Sequence, residues 1–172
     1  MRYDVTRIDS TFGGVVLATS SGGLHALEFS DSDRPADWRF ARTCERPEFA
    51  WTRDGGDVAH RVAAYFGGDL GAVDAIRVAA AGTPFQHLVW DELRRIRAGT
   101  VTSYGALAAA VGRPGAARAV GRANALNPVA IVVPCHRVVG TGGALTGYAF
   151  GLDRKERLIA FERARACAPT VA

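Results

Sequence analysis

The stretch Pro134-Cys135-His136-Arg137-Val138 directly follows the apolar run at residues 129–133 (VAIVV). That run has the length and the β-branched content of a buried strand, so we expect Cys135 where a strand ends. Pro134 fixes φ and removes one amide donor, which holds the cysteine on a rigid backbone. A neighbouring histidine and arginine favour the thiolate, the nucleophilic form of cysteine. The stretch therefore indicates a reactive thiol, and the alternative is an inert buried cysteine.

The composition fits a folded protein with either one large domain or two small ones. The chain has 172 residues, of which 48% are hydrophobic. No apolar run approaches the ~18 residues of a membrane span, and the segment after Met1 lacks the apolar core of a signal peptide. We therefore expect a cytoplasmic protein without membrane contact. Cys44, Cys135 and Cys167 are too widely spaced for a disulfide framework or a metal cluster, so we expect no metal and no cofactor.

Charge is distributed unevenly along the chain. Residues 1–81 contain nine basic and twelve acidic residues, a net charge of −3, whereas residues 82–172 contain twelve and five, a net charge of +7. A basic half suggests a polyanionic partner such as nucleic acid. A solvated arginine-rich surface explains the charge equally well, because every basic residue except Lys155 is arginine.

The first part of the chain is expected to form an α/β domain over residues 1–78. Alternating patterns predict strands at residues 2–8, 15–18 and 24–29, and another at residues 73–78. Residues 31–56 are polar and are expected to be irregular. Apolar residues from Val58 to Phe66 repeat at helical spacing, and Gly67-Gly68 ends that helix. No site chemistry is apparent in these residues.

The second part, residues 82–172, reads as largely helical. Thr83, Pro84 and Gln86 predict a capped helix that continues to Gly99. Ser103 caps a second helix, residues 112–115 (GRPG) break it, and residues 116–126 form a third, which is the layout of a helix-turn-helix motif. The third helix carries small residues around two arginines: Ala116, Ala117, Ala119, Gly121, Ala123, Arg118 and Arg122. Such a face allows close approach to a groove, or equally to another helix in a core.

The last part of the chain is expected to surround the cysteine. Asn127-Pro128 ends the third helix, because the residue before proline avoids the α region. The glycine-rich loop at residues 140–148 lacks the spacing of a phosphate-binding loop. We expect it to form one closely fitting side of the site. Asp153 is expected to cap the final helix, which carries Leu158, Ile159, Phe161 and Glu162.

The order and spacing of several motifs resemble those of the O6-alkylguanine-DNA alkyltransferases, also called methylated-DNA–protein-cysteine methyltransferases. These motifs are residues 82–86 (GTPFQ), Ser103-Tyr104, residues 117–121 (ARAVG), Asn127-Pro128, residues 134–138 (PCHRV) and Gly147-Tyr148. The resemblance covers about residues 80–163 and is only loose before them. It implies an α+β/α architecture, with a small amino-terminal α/β domain of the ribonuclease H-like type. A helical carboxy-terminal domain with a winged-helix-like helix-turn-helix would follow.

The resemblance also implies a single-turnover DNA repair reaction. Cys135 would accept an alkyl group from O6 of guanine, and Glu162 would orient the imidazole of His136. His136 would act as the base of Cys135, reaching the sulfur around a turn or through a water. Tyr104 would donate a proton to the leaving guanine, and Asn127 would tie the helix end to the cysteine turn. The carbon attacked is saturated, so no oxyanion hole is required.

The implied partner is double-stranded DNA carrying O6-alkylguanine, bound by a monomer; whether O4-alkylthymine is accepted stays open. Arg118 would take the place of an extruded nucleotide, because the sulfur cannot reach O6 inside the stack. The other residues implied at the DNA are Ser103, Ala117, Ala119, Gly121 and Arg122. Those implied around the base are Val138, Leu145, Tyr148, Ala149 and Phe150.

Two positions depart from the family pattern, and two rival functions stay open. Phe150 stands where the family usually has glycine, and Arg97 where it usually has proline; the zinc-binding cysteines of some relatives have no counterpart. A turnover cysteine hydrolase could use the same side chains, but it leaves the basic helix pair unexplained. A DNA-binding regulator or lesion sensor needs no cysteine, so Cys135 argues against it.

Overall fold

The computed structural model describes residues 1–34, 37–43 and 47–167, and the chain divides into two compact units. Unit 1 comprises Met1–Ala81 and Pro128–Val132, and unit 2 comprises Gly82–Asn127 and Val133–Ala172. Cys44 lies outside the described residues. Across the described ranges, no helix combines the length and the apolarity that a membrane span requires.

Unit 1 is built on a four-stranded sheet. Its strands are β1 (Arg2–Ser10), β2 (Gly13–Ser20), β3 (Gly23–Phe29) and β4 (Glu48–Trp51), in the spatial order β3-β2-β1-β4. The first three lie where strands were predicted and are antiparallel neighbours, and β4 runs parallel to β1. The expectation of irregular structure at residues 31–56 was wrong at β4, where the edge of β1 supplies partners for a short segment.

Helix α1 (Gly56–Gly67) follows the sheet and ends as predicted. Gly68 adopts φ 114°, a left-handed cap that glycine reaches without strain. The strand predicted at residues 73–78 was wrong. Residues 73–75 form turns, and Val78 makes a single parallel bridge to Leu24. One bridge satisfies too few backbone groups to extend a strand.

Unit 2 contains α2 (Pro84–Leu93), α3 (Tyr104–Ala110), α4 (Ala117–Ala125) and α5 (Leu152–Ala166). Thr83 and Gln86 form the predicted capping box, and Ser103 caps α3 through Ala106 N at 3.1 Å. Helix α2 ends at Leu93 and not at Gly99, because tighter bonds such as Ile96 N to Leu93 O replace the helical pattern. Gly151, and not Asp153, occupies the N-cap of α5, which places Asp153 inside the first turn.

Residues 129–133 are buried but do not form the predicted strand. Val129 makes one bridge to Leu27, after which the chain turns. Ile131 has φ 70°, a left-handed value that a β-branched residue rarely adopts and that breaks an extended run. The apolar, β-branched composition of this segment therefore reflects its burial and not a strand conformation.

A short parallel pair positions the cysteine stretch within unit 2. Strand β5 (Thr102–Ser103) pairs with β6 (Val138–Val139), with Thr102 opposite Val138. Because β5 leads directly into α3 and β6 directly follows Arg137, the pairing brings the start of α3 beside the cysteine turn. Helices α2, α3 and α4 pack against one another, and Trp90 Nε1 donates to Ala123 O at 2.9 Å.

Candidate active site

Cys135 lies in a turn that is fastened from the end of α4. Cys135–Arg137 form a single 3-10 turn, and Cys135 N donates to Val133 O at 2.8 Å. Asn127 Nδ2 donates to Val133 O at 2.8 Å. Cys135 keeps 5% of its surface exposed, whereas His136 keeps none. The nucleophile candidate thus sits on a rigid backbone, but on a 3-10 turn and not at the end of a strand.

His136 is oriented by a buried carboxylate. Its Nε2 lies 3.0 Å from Glu162 Oε1. A carboxylate only accepts hydrogen bonds, so Nε2 carries the hydrogen and the neutral ring has its lone pair on Nδ1. Nδ1 is buried and has no hydrogen-bond partner among the described residues. This tautomer leaves Nδ1 as the atom that can take a proton from the adjacent cysteine.

Glu162 is itself paired with Arg137. The guanidinium donates from Nη2 to Oε1 at 2.7 Å and from Nε to Oε2 at 2.9 Å, a bidentate geometry. Gly99 N donates to Oε2 at 3.1 Å. Gly99 has φ 79°, and a Cβ there would lie 2.9 Å from Ala166 Cβ. A glycine is therefore needed where the backbone at residue 99 comes close to α5.

The protonation states follow from this pairing. Burial lowers the pKa of His136 below its ordinary value, and the Glu162 hydrogen bond offsets only part of that effect. Burial would raise the pKa of Glu162, but the hydrogen bonds and positive charge of His136 and Arg137 outweigh it and hold the pKa far below the usual range. At neutral pH the site therefore holds a neutral imidazole beside an ionised, fully bonded carboxylate.

Tyr104 begins α3 and faces the same turn. Its pKa is raised, first by burial and also by the charge of Cys135, while hydrogen bonds with Thr146 and Asn124 act in the opposite direction. A phenol with a raised pKa stays protonated at neutral pH and can donate. Its ring lies against Gly121 of α4, where a Cβ would be 3.7 Å from the ring carbons.

Lys155 holds the loop at Thr146, and it was not among the site residues predicted from the sequence. It is the chain's one lysine, it is 0% exposed, and its Nζ donates to Thr146 O at 2.6 Å. Burial lowers its pKa, whereas the charge of Cys135 raises it. A usable signal existed, because positions 155, 158, 159 and 162 form one helical stripe.

The predicted pocket residues lie on the same loop, with one exception. Tyr148 and Phe150 pack edge to face, with ring centroids 5.5 Å apart, and Leu145 is half-buried. Ala149 is exposed. Arg154 Nη1 donates to Phe150 O at 2.7 Å. Val138 is the exception, because it belongs to β6 and is completely buried.

The predicted DNA-facing residues lie on α4 and at the start of α3. Arg118, Ala119 and Arg122 are exposed, and Ala117 and Gly121 are half-buried. Ser103 lies at the start of α3, where its Oγ caps the helix. The turn between α3 and α4 uses Gly112 at φ 70° and Gly115 at φ 90°. Two exposed arginines one helical turn apart, among small side chains, form a basic face that can approach a phosphate backbone.

The arrangement suits a cysteine nucleophile with an adjacent base and a separate proton donor. Cys135 supplies the sulfur, His136 Nδ1 an acceptor for its proton, and the Tyr104 hydroxyl a donor. The described residues contain no group of three or more His, Cys, Asp or Glu side chains that could hold a metal ion.

Comparison with known proteins gives these residues a family context. Residues 84–164 match the family model of the 6-O-methylguanine DNA methyltransferase DNA-binding domain. A methylated-DNA–protein-cysteine methyltransferase of Salmonella typhimurium is 56% identical over 107 residues, which cover 62% of this chain and 63% of that protein. This match therefore spans less than two thirds of the relative's length.

Other relatives match along almost the whole chain. The methylated-DNA–protein-cysteine methyltransferase of Methanosarcina barkeri is 42% identical over 166 residues, covering 94% of this chain and 97% of that protein. The crystal structure of Mycobacterium tuberculosis OGT in complex with DNA matches with a TM-score of 0.74 at 37% identity, covering 99% of this chain and 96% of that one. The mixed α/β fold is thus that of known members, and the chain belongs to the methylated-DNA–protein-cysteine methyltransferase family.

Proposed function

We propose that this methylated-DNA–protein-cysteine methyltransferase repairs DNA by moving an alkyl group from O6 of guanine to Cys135, once per molecule. The observation that carries the proposal is the orientation of His136, whose Glu162 contact leaves Nδ1 to receive the cysteine proton. The family and the DNA complex of the M. tuberculosis relative support the choice of substrate.

The reaction proceeds by in-line displacement. His136 Nδ1 takes the proton of the Cys135 thiol through a water, because Nδ1 has no direct hydrogen-bond partner among the described residues. The thiolate then attacks the alkyl carbon. The S–C bond forms as the C–O6 bond breaks, and its electron pair remains on guanine. Tyr104 gives its proton to the guanine anion, and the imidazolium proton then returns to the tyrosine oxygen, so that both side chains end neutral. Glu162 stabilises the imidazolium while it exists.

The product explains the single turnover. A thioether has no acyl carbon for water to attack, and regenerating the thiol would require a second displacement at the same carbon. The His136 side chain is completely buried, and its Nε2 is hydrogen-bonded to Glu162. Each protein molecule is therefore used up by one reaction, and no cofactor takes part.

The DNA-binding role belongs to the α3–α4 pair, which we assign as a winged-helix-like helix-turn-helix. Arg118 occupies the space of the guanine nucleotide as that nucleotide swings out of the duplex. The β3-β2-β1-β4 sheet with α1 is assigned as a ribonuclease H-like unit. The protein acts as a cytoplasmic monomer on double-stranded DNA, and O4-alkylthymine is a further substrate to test.

A titration with excess substrate separates this proposal from a turnover cysteine hydrolase. The protein is incubated with a tenfold excess of duplex carrying O6-methylguanine, and restored guanine is counted over time. We expect the yield to stop at one guanine per protein molecule. Continued release of product beyond that level would establish turnover and refute the proposal. A protein that binds the lesion but restores no guanine would be a sensor.

A further inference from the structure

The loop that follows β6 approaches the Tyr104 hydroxyl, the proposed proton donor. A Cβ on Gly147 would lie 3.7 Å from that oxygen. Tyr148 comes next, and its ring packs edge to face against Phe150, with the centroids 5.5 Å apart. In the proposed reaction, the guanine contacts the Tyr104 hydroxyl while its alkyl carbon faces the Cys135 sulfur. The two rings on this loop would therefore border the space that the base and its alkyl group occupy.

Two consecutive side chains of α5 fasten this loop. Lys155 Nζ donates to Thr146 O at 2.6 Å, and Arg154 Nη1 donates to Phe150 O at 2.7 Å. A charged donor forms a shorter and stronger hydrogen bond than a neutral one. The two carbonyls lie on either side of residues 147–149, so the loop is held at both ends of its approach to the site.

The Arg154 bond acts on the backbone that carries the Phe150 ring. Gly151 N donates to Tyr148 O at 3.2 Å, which closes a turn with Phe150 at its third position. Gly151 has φ 94° and, as a glycine, restrains the preceding peptide little. The guanidinium fixes the orientation of the Phe150 carbonyl and thus ψ of that residue. Because side-chain rotamers depend on φ and ψ, the bond also limits where the ring can point.

We propose that Arg154 is a positioning residue that sets substrate specificity by holding the Phe150 ring beside the alkyl group. With the bond in place, the ring narrows the pocket and favours a small group. Without it, the turn relaxes and the ring can make room for a bulky group. A cation in the first turn of α5 opposes the helix dipole, so helix stability does not account for an arginine here. The inference rests on the proposed function.

The test compares methyl and benzyl transfer from duplexes of one sequence. Single-turnover rates on O6-methylguanine and O6-benzylguanine are measured for the parent, Arg154→Met, Phe150→Gly and the double variant. We expect Arg154→Met to raise the ratio of benzyl to methyl rates about two- to tenfold, the equivalent of one lost hydrogen bond. In the Phe150→Gly background, the same substitution should leave the ratio unchanged within about twofold, because no ring remains to be held.

The rate ratio separates specificity from stability. A loss of folded protein or of DNA affinity slows both reactions and cancels in the ratio. Arg157→Met, which removes a half-exposed arginine three residues further along α5, is the matched control and should keep the parent ratio. Thermal unfolding reports whether each variant is folded, and Arg154→Ala replaces the methionine variant if that one is not.

Three results would overturn the proposal. The first is an unchanged ratio in the Arg154 variant, and the second is the same rise in the Phe150→Gly background. The third is an equal rise in Arg157→Met, which would attribute the effect to charge alone. A parent protein that transfers neither group would instead refute the proposed function.

Discussion

Arg137 Nη2 lies 2.7 Å from Glu162 Oε1, so the carboxylate that orients His136 is already neutralised by a guanidinium. A bidentate pair of this kind strongly favours the ionised acid. Glu162 therefore keeps the imidazole in one tautomer and does not compete for the cysteine proton. In the proposed reaction, the base is therefore the histidine alone.

The buried ammonium of Lys155 should favour the thiolate of Cys135. An opposite charge nearby stabilises the ionised form of an acid, commonly by about one to three pKa units. In Lys155→Met, we expect the midpoint of the pH–rate profile for iodoacetamide alkylation to rise by about one unit. Arg157→Met is the matched control, because it removes a half-exposed cation from the same helix. Coincident midpoints in all three proteins would exclude an electrostatic role for Lys155.

The buried neutral His136 should make the fold sensitive to mild acid. In the unfolded chain its pKa is about 6.5, and in the native protein burial lowers it, despite Glu162 and with help from Arg137 and Lys155. As pH falls below 6.5, the unfolded state takes up a proton first, so stability declines by at most about 1.4 kcal/mol per pH unit. The decline ends at the native pKa.

Urea unfolding at pH 7.5 and 5.5 measures this effect. The free energy of unfolding should fall more for the parent than for His136→Asn, which cannot take up that proton. Comparing the difference between the two proteins removes the contributions of other titrating groups. Equal falls in both would mean that folding does not lower the pKa of His136.

Arg118 should matter only when a base must leave a duplex. We expect Arg118→Ala to slow repair of O6-methylguanine in duplex DNA about 10²-fold, since extrusion costs a few kcal/mol. Reaction with free O6-benzylguanine should keep its rate within about twofold. Arg165→Ala, at the exposed end of α5, controls for the loss of one positive charge. Equal slowing on both substrates would place Arg118 in the chemistry and not in extrusion.

Phe150 should set the size of the alkyl group that the site accepts. Its ring packs against Tyr148 on the loop that Arg154 and Lys155 fasten to α5. We expect Phe150→Gly to raise the ratio of benzyl to methyl transfer rates several-fold, because it removes a bulky wall. Single-turnover rates on duplexes with each lesion give this ratio. An unchanged ratio would show that the ring lies outside the alkyl pocket.

Local signals in the sequence located most of the helices of unit 2. Thr83 and Gln86 predict the start of α2, and Ser103 predicts the start of α3, because capping depends on residues three positions apart. Residues 129–133 show the limit of such reasoning. An apolar run reports burial, and a buried turn with Ile131 at positive φ has the same composition as a buried strand.

The parts of the site that sequence reasoning missed are the polar residues that lie inside. Asn124 and Lys155 are buried, although they belong to residue types that are mostly exposed, so residue type alone does not indicate their burial. The pairing of Glu162 with Arg137 also depends on how α5 packs on the cysteine turn. No local pattern encodes that contact.

The central claim concerns one sulfur atom, and isotope labelling tests it most directly. The protein is incubated with duplex DNA whose O6-methylguanine carries a ¹³C, deuterium-labelled methyl group, then digested and mapped by mass spectrometry. Cys167, an exposed thiol on the same chain, is the internal control for non-specific alkylation. We predict that all label lost from guanine appears on the peptide containing Cys135, in a one-to-one ratio. Label on Cys167, or restored guanine with an unlabelled Cys135 peptide, would contradict the account.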